Sequence, residues 1–220
     1  MENYKIEANG VLHQVQKIGD SVVSYDTTYV DSRYNTYGVL GMQMAYLRVG
    51  YVYGKLKNYL NPKFSVLDVG YGNGDYLKAF SSLIGAENCF GSDISNYPLP
   101  EGINHVEIFK ECDVISFFDV LEHFDDISFV KDLNCNYLVI SVPNCKDYHS
   151  LAFENWFSDW KHRRPNEHIW HFSVSSLVSF FETHGYLHID TSYLEDAIRK
   201  PSDNTNNPNI LTCIFKKNSK

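Results

Sequence analysis

The chain has 220 residues, 44% hydrophobic and 21% charged, the balance of an ordinary globular domain with a sizeable core. Lys and Arg number 19 against 27 Asp and Glu, a formal net charge of −8. That excess of acid argues against a general duplex nucleic-acid surface, which needs cations to neutralise phosphates. No apolar run reaches the roughly 18–20 residues that span a bilayer.

The N-terminus, MENYKIEANG, has neither the basic start nor the apolar stretch of a secretory signal. Five scattered cysteines (Cys89, Cys112, Cys135, Cys145, Cys213) with no CxxC pair point to reduced thiols in a cytoplasmic setting. Lys5–Ile18 alternates around Asn9-Gly10 and predicts a β-hairpin with a two-residue turn. Tyr25–Tyr37, rich in Tyr, Thr and Asp, reads as irregular or as a short helix. Gly38–Leu60 carries Met42, Ala45, Val49, Val52, Leu56 and Tyr59 at spacings of three and four, an amphipathic helix stopped by Asn61-Pro62.

Ser65–Val69 reads as a buried strand, and Gly70, Gly72 and Gly74 follow at alternate positions. Asp75–Ile84 then predicts a helix with Leu77, Phe80, Leu83 and Ile84 on one face. Further strands are expected near Asn88–Ser92, near His105–Phe109, at Val114–Phe118 and at Tyr137–Val142. A helix over Ser173–His184, capped by Ser173 or Ser175 and closed by Gly185, precedes strands at Tyr186–Tyr193 and Ile210–Lys216. Joined by Asn-rich turn residues, these two form an antiparallel hairpin. Alternating strands and helices imply an α/β fold, a mostly parallel sheet with helices on both faces.

Strand, glycine turn and helix together make a nucleotide-binding corner, because glycine lets backbone approach a ligand and the helix presents unpaired N–H groups. The dinucleotide fingerprint fits poorly: the third glycine comes one residue early, and Asp75 would oppose a pyrophosphate. The Walker pattern is absent. Asp93, ending the next strand, stands where a carboxylate takes both hydroxyls of a ribose. The expected ligand is a nucleoside without a pyrophosphate.

With these motifs the chain resembles the class I S-adenosylmethionine-dependent methyltransferases. The resemblance rests on Asp68-x-Gly70-x-Gly72-x-Gly74, on Gly91-Ser92-Asp93-Ile94-Ser95, on Phe118–Phe124 after the fourth strand, and on Leu138–Asn144 at the fifth. It covers roughly Asn61 to Lys217 and is nearest the broad group that includes ubiquinone-biosynthesis and sugar methyltransferases. It implies a Rossmann-like, seven-stranded sheet ending in an antiparallel hairpin, and S-adenosylmethionine as cofactor. Residues 1–38 then form an N-terminal extension, 39–220 the catalytic domain, and about 144–172 an acceptor-site insertion.

The implied cofactor residues are Asp68, Gly70, Gly72, Gly74, Asp93, Ile94, Phe118 and Asp119. Asp68 would bond the loop amides or reach the ligand ammonium through water, and Ile94 would pack on the adenine. Asp119 would border the methionine portion or cap a helix. An acidic adenine partner after the third strand is missing, which leaves backbone near Ile108–Lys110 or a side chain that the sequence does not single out. The segment Asn144–Phe172 holds Trp156, Trp160 and Trp170, every Trp in the chain, with four histidines and the run Lys161-His162-Arg163-Arg164. Rings and guanidinium groups suit a polar, anionic or sugar-type acceptor, with Trp156, Trp160, Arg163, Arg164 and Asn144 as its contacts. His168, His171 and His123 are the candidate bases. His162, Glu167, His168 and His171 also admit a metal reading, but no second matching motif accompanies them and no metal is expected.

The expected activity is methyl transfer to a small-molecule or glycan-linked acceptor at oxygen, with neither duplex nucleic acid nor membrane as partner. The stretch Phe118-Asp119-Val120-Leu121 argues against nucleobase amino methylation, whose enzymes usually carry Asn/Asp-Pro-Pro-Tyr/Phe there. Alternatives are an RNA- or tRNA-modifying methyltransferase that uses Lys161–Arg164 on phosphates, a non-catalytic S-adenosylmethionine-binding protein, and a nicotinamide oxidoreductase.

Overall fold

The computed structural model describes residues 1–20, 23–200 and 207–218. It contains a seven-stranded sheet whose last two strands in chain order form an antiparallel pair. The chain divides into two compact units, one of Ser24–Phe118 and Asp132–Ile140, the other of Met1–Val23, Asp119–Lys131 and Ser141–Lys220.

The first unit holds helices α1 (Thr27–Tyr37), α2 (Val39–Leu56) and α3 (Asp75–Ile84), and strands β3 (Val66–Val69), β4 (Cys89–Ser92), β5 (Asn104–His105) and β6 (Cys112–Phe118). β3 is wholly buried and pairs in parallel with β4 and β6; β4 pairs in parallel with β5. Near-continuous apolar sequence at Val66–Val69 is what a strand covered on both faces requires. α3 buries Tyr76, Leu77, Ala79, Phe80 and Ile84. Leu83, expected on that face, is half exposed, because Tyr76 and Ala79 turn the buried stripe away from it. α1 forms a full helix whose N-cap Asp26 accepts the Tyr29 amide. α2 ends at Leu56, before Asn61-Pro62, and leaves Tyr59 exposed beyond it. β5 is shorter than the expected His105–Phe109 segment: after the Val106 amide bonds the Gly91 carbonyl, the chain turns at Glu107–Lys110.

The second unit holds β1 (Tyr4–Ile6), β2 (Leu12–Gln14), α4 (Phe153–Asp159), β8 (Trp170–His171), α5 (Val174–Thr183), β9 (Tyr186–Ser192) and β10 (Ile210–Lys217). β7 (Cys135–Pro143) belongs partly to each unit, and the large sheet runs β5-β4-β3-β6-β7-β10-β9. β9 and β10 pair antiparallel, with a register shift at Ile214/Phe215. Part of the Asn-rich connection between them, 202–206, lies outside the described residues. α5 starts at a capping box in which Ser173 and Ser176 bond each other's amides.

The expected N-terminal hairpin is present, but its turn is longer than two residues. Glu7 donates to the Val11 carbonyl, so Ala8-Asn9-Gly10 forms a three-residue loop with Gly10 at φ 81°. β2 also pairs with β8, making a three-stranded sheet β1-β2-β8. Gln14 and Asn166 reinforce it, Gln14 Nε2 donating at 2.8 Å and the Asn166 amide returning a bond at 2.9 Å. His13 stacks on Trp170 with centroids 3.7 Å apart. The hairpin therefore braces the segment that precedes α5.

Candidate functional site

In the first unit, β3 delivers Asp68 to a position that is only 4% exposed. The register sets it opposite Ser116 of β6, whose hydroxyl donates to Asp68 Oδ1 at 2.7 Å. That neighbouring strand, rather than the loop amides, supplies its hydrogen bond. Burial pushes the carboxyl up to about 7; the Ser116 bond and the Arg48 charge oppose the rise, while Asp93 adds to it.

Past β3 the chain turns through Gly70, Gly72 and Gly74, at φ 71°, 58° and 78°. At Gly72 a side chain would meet both a left-handed backbone and the Tyr34 ring of α1, since an added Cβ would overlap the Tyr34 hydroxyl. Gly74 is the N-cap of α3, and the Asn73 side chain before it accepts the Asp75 amide and donates to the Asp75 carboxylate at 2.8 Å. The Asp93 carboxylate accepts the Gly72 amide at 2.9 Å on one oxygen and the Ser95 amide at 2.8 Å on the other. It thus holds the glycine loop, and the free lone pairs of the same two oxygens suit a diol. Ile94 beside it is 79% exposed, an apolar side chain with its face open.

Phe118 closes β6 with the Tyr76 ring edge-on at 4.9 Å and the Arg48 guanidinium 4.3 Å over its face. Tyr97 donates to Asp31 of α1 at 2.8 Å, which ties the turn after Asp93 to that helix. Tyr34 at the glycine turn, Asp31 at the turn after Asp93 and Arg48 over Phe118 are neighbours that sequence reasoning missed; for the first two the Tyr-rich composition of Tyr25–Tyr37 was the one hint.

In the second unit, Asp119 has φ 58° and is gripped by Arg199 through two parallel bonds of 2.5 and 2.9 Å. Arg199 also bonds the fully buried Glu195 at 2.8 Å, and Glu195 accepts the Ser141 hydroxyl at 3.0 Å. Neither Arg199 nor Glu195 carries a motif, and both went unforeseen. Asn144 is buried, its amide group donating to the Pro208 carbonyl at 3.0 Å. Trp160 packs in an apolar cluster with Leu12, Cys145, Phe153 and Phe157, while Trp156 is half-buried and stacks on it. Arg163 lies over the Tyr4 and Phe157 rings, and Arg164 bonds Glu167 at 2.9 Å.

The three candidate bases occupy different surroundings. His171 is enclosed by Tyr4, Phe157 and Trp160, and burial pushes it down to about 3. His168 and His123 lie together, rings edge-to-face with centroids 4.8 Å apart. His123 Nδ1 faces the Glu167 carbonyl at 2.7 Å, and His168 Nδ1 faces the His162 carbonyl at 2.8 Å. A carbonyl only accepts, so each Nδ1 carries the proton and each Nε2 a lone pair. Burial lowers both imidazoles, His168 to about 2, so both are neutral at physiological pH. Glu122 completes the cluster, and burial raises its carboxyl well above the usual range.

A glycine turn between a buried parallel strand and a helix, with a carboxylate ending the next strand, defines an α/β domain that binds a nucleoside cofactor at the strand carboxyl ends. Residues 47–189 match the methyltransferase domain family, and the chain belongs to it. It is an enzyme that uses S-adenosylmethionine as methyl donor. Among solved structures, the methyltransferase complexed with the Trm112 methyltransferase activator of Haloferax volcanii is similar at 14% identity and TM-score 0.60. The match covers 90% of this chain and 100% of that one. Magnesium protoporphyrin IX methyltransferase of Synechocystis PCC 6803, with S-adenosylhomocysteine bound, is similar at 15% identity and TM-score 0.52, over 90% of each chain. The plantazolicin methyltransferase BpumL is similar at 14% identity and TM-score 0.54, over 87% of this chain and 90% of that one. No curated protein sequence is significantly similar. No helix among the described residues is long and apolar enough to cross a membrane.

Proposed function

We propose that the enzyme methylates an oxygen of a small-molecule or glycan-linked acceptor. The observation that carries this reading is the pairing of two neutral imidazoles, tautomers fixed with Nε2 as lone pair, beside the buried carboxyl of Glu122. A hydroxyl must lose its proton as it attacks the sulfonium methyl; burial pushes His168 down to about 2, too weak a base, so we assign the proton to His123 Nε2. The basic run offers little to a phosphate backbone, because Arg163 stacks on rings and Arg164 bonds Glu167. Residues 1–38 and about 144–172 are the parts we assign to acceptor recognition, braced by the β1-β2-β8 sheet. The five cysteines are free and buried, which supports a cytoplasmic location.

The test supplies methyl-labelled S-adenosylmethionine with fractionated small molecules, glycans and RNA. Label in an ether or ester of the first two classes is the expected result. Label confined to RNA, or to nitrogen, overturns it.

The cofactor residues give a pH signature. We assign Asp68 to the ligand ammonium. Its carboxyl, raised from 3.8 to about 7, stays protonated in the folded chain at pH values where the unfolded chain has already ionised. Its contribution to stability therefore falls as pH rises between about 4 and 7, and levels off above. A bound ammonium favours the carboxylate, so S-adenosylmethionine affinity is expected to rise with pH up to about 7, with a proton released on binding below it. Calorimetry in buffers of different ionisation enthalpy reads that proton, and Asp68→Asn should abolish it. Affinity flat across this range would remove Asp68 from the role.

A further inference from the structure

We propose that Glu122, His123 and His168 bind one divalent transition-metal ion of the zinc class. One ligand atom from each, a carboxylate oxygen and two imidazole nitrogens, lies within 4.8 Å of the others. An ion bonded at about 2.1 Å sets tetrahedral donors roughly 3.4 Å apart, so each side chain needs to close by less than about 1 Å.

The decisive observation is the state of Glu122. Its side chain is 1% exposed, and among the described residues neither carboxylate oxygen has a hydrogen-bond partner from another residue. Buried carboxylates are almost always bonded, paired or coordinated, because their desolvation is otherwise uncompensated. A proton on Glu122 does not mend this, since its Oε1 stands 4.0 Å from His123 Nε2, too far for a hydrogen bond. A cation between them does.

The two imidazoles are prepared for the same partner. Each gives its Nδ1 proton to a backbone carbonyl, of Glu167 and of His162, at 2.7 and 2.8 Å. Metal-bound histidines are oriented in this way, with the second nitrogen held by a carbonyl or carboxylate so that the first keeps its lone pair. The two segments are pinned together as well, the Ile169 amide donating to the Glu122 carbonyl at 2.8 Å. The ligands thus come from a one-turn helix, Leu121–His123, and from a residue 45 positions after His123 in the chain, set by the backbone rather than by any spacing motif. Of the residues that sequence suggested for a metal, His162, Glu167 and His171 are absent from this set.

Two nitrogens and one carboxylate oxygen suit zinc, cobalt, nickel, manganese or iron better than calcium or magnesium, which prefer all-oxygen shells. Three protein ligands leave at least one position open, the pattern of catalytic rather than structural sites. Resting on the function proposed above, that position takes the acceptor oxygen; with the ion bound, His123 Nε2 serves as a ligand instead of the base, and the ion would acidify the hydroxyl, whose proton would pass to solvent.

The full chain, stripped with a chelator and dialysed, should take up one equivalent of Zn²⁺ or Co²⁺. Cobalt should produce visible ligand-field absorption, and the melting temperature should rise with metal. Glu122→Gln and His168→Ala should each weaken uptake by more than about 100-fold. They should leave S-adenosylmethionine binding intact, and His149→Ala, at an exposed histidine outside the ligand set, should leave metal uptake unchanged. Failure of the wild-type chain to take up a stoichiometric ion from zinc, cobalt, nickel, manganese or iron(II) overturns the proposal, and this arm requires no variant to fold. Uptake that survives both ligand variants overturns the assignment of residues. Methyl transfer by metal-free protein would refute the ion's part in acceptor activation, whereas uptake without transfer to oxygen would leave the site standing and refute the acceptor class.

Discussion

Asp93→Ala is expected to weaken S-adenosylmethionine binding by about 1–3 kcal/mol, or roughly 5- to 150-fold in Kd. Two losses combine. The carboxylate that we propose takes the ribose hydroxyls is gone, and the Gly72 and Ser95 amides lose the acceptor that holds them at 2.9 and 2.8 Å. The second loss loosens the loop that must lie against the ligand, so the apparent affinity also falls through the cost of reordering it. Asp93→Asn, which keeps one acceptor oxygen, should fall between. Calorimetric titration with S-adenosylmethionine and S-adenosylhomocysteine decides the matter: equal affinity in a folded Asp93→Ala protein would show that the ribose is held elsewhere.

Arg199→Met is expected to produce a large loss of stability, about 3–5 kcal/mol, the cost of removing one partner from a buried ion pair. Arg199 is the shared cation of Asp119 and Glu195, and Glu195 is fully buried. Without the guanidinium, Glu195 loses its 2.8 Å charged partner while its carboxylate stays buried against the Ser141 hydroxyl. Asp119 is released at a position where φ is 58°, a conformation an L-residue adopts at some cost. Glu195→Gln in the Arg199→Met background should recover part of the loss, because the orphaned charge is gone. Denaturant unfolding of the single and double variants measures both effects. A single-variant loss below about 1 kcal/mol would mean that water replaces Arg199 without penalty.

Much of the fold was legible because its signals are local. The apolar run at Val66–Val69, the glycines at alternate positions and the stripe of α3 act over a few residues. Each maps onto one element with boundaries shifted by a residue or two. The C-terminal hairpin was equally plain from two β-rich segments. Where local signals were weak, reading drifted: β5 is an edge pair of two residues, and α2 stops a turn before its proline. The N-terminal alternation showed a hairpin but not its partner, because Trp170 and His171 lie more than 150 residues downstream.

The site divides in the same way. Sequence by itself determined the strand, glycine turn and helix in which we place the nucleoside, since glycine stereochemistry and a carboxylate at a strand end are properties of the chain over some thirty residues. It also showed that rings and imidazoles concentrate in Asn144–Phe172, though not what each faces. Tertiary structure alone decided that Asp68 meets Ser116, that Asp119 meets Arg199, and that His168 joins Glu122 and His123 while His171 goes to an aromatic box. These pairings join residues 45 to 80 positions apart, or set two histidines three residues apart in different surroundings. No period or propensity encodes them. They arise when strand register and loop closure bring distant side chains within bonding distance, and burial then fixes their charge.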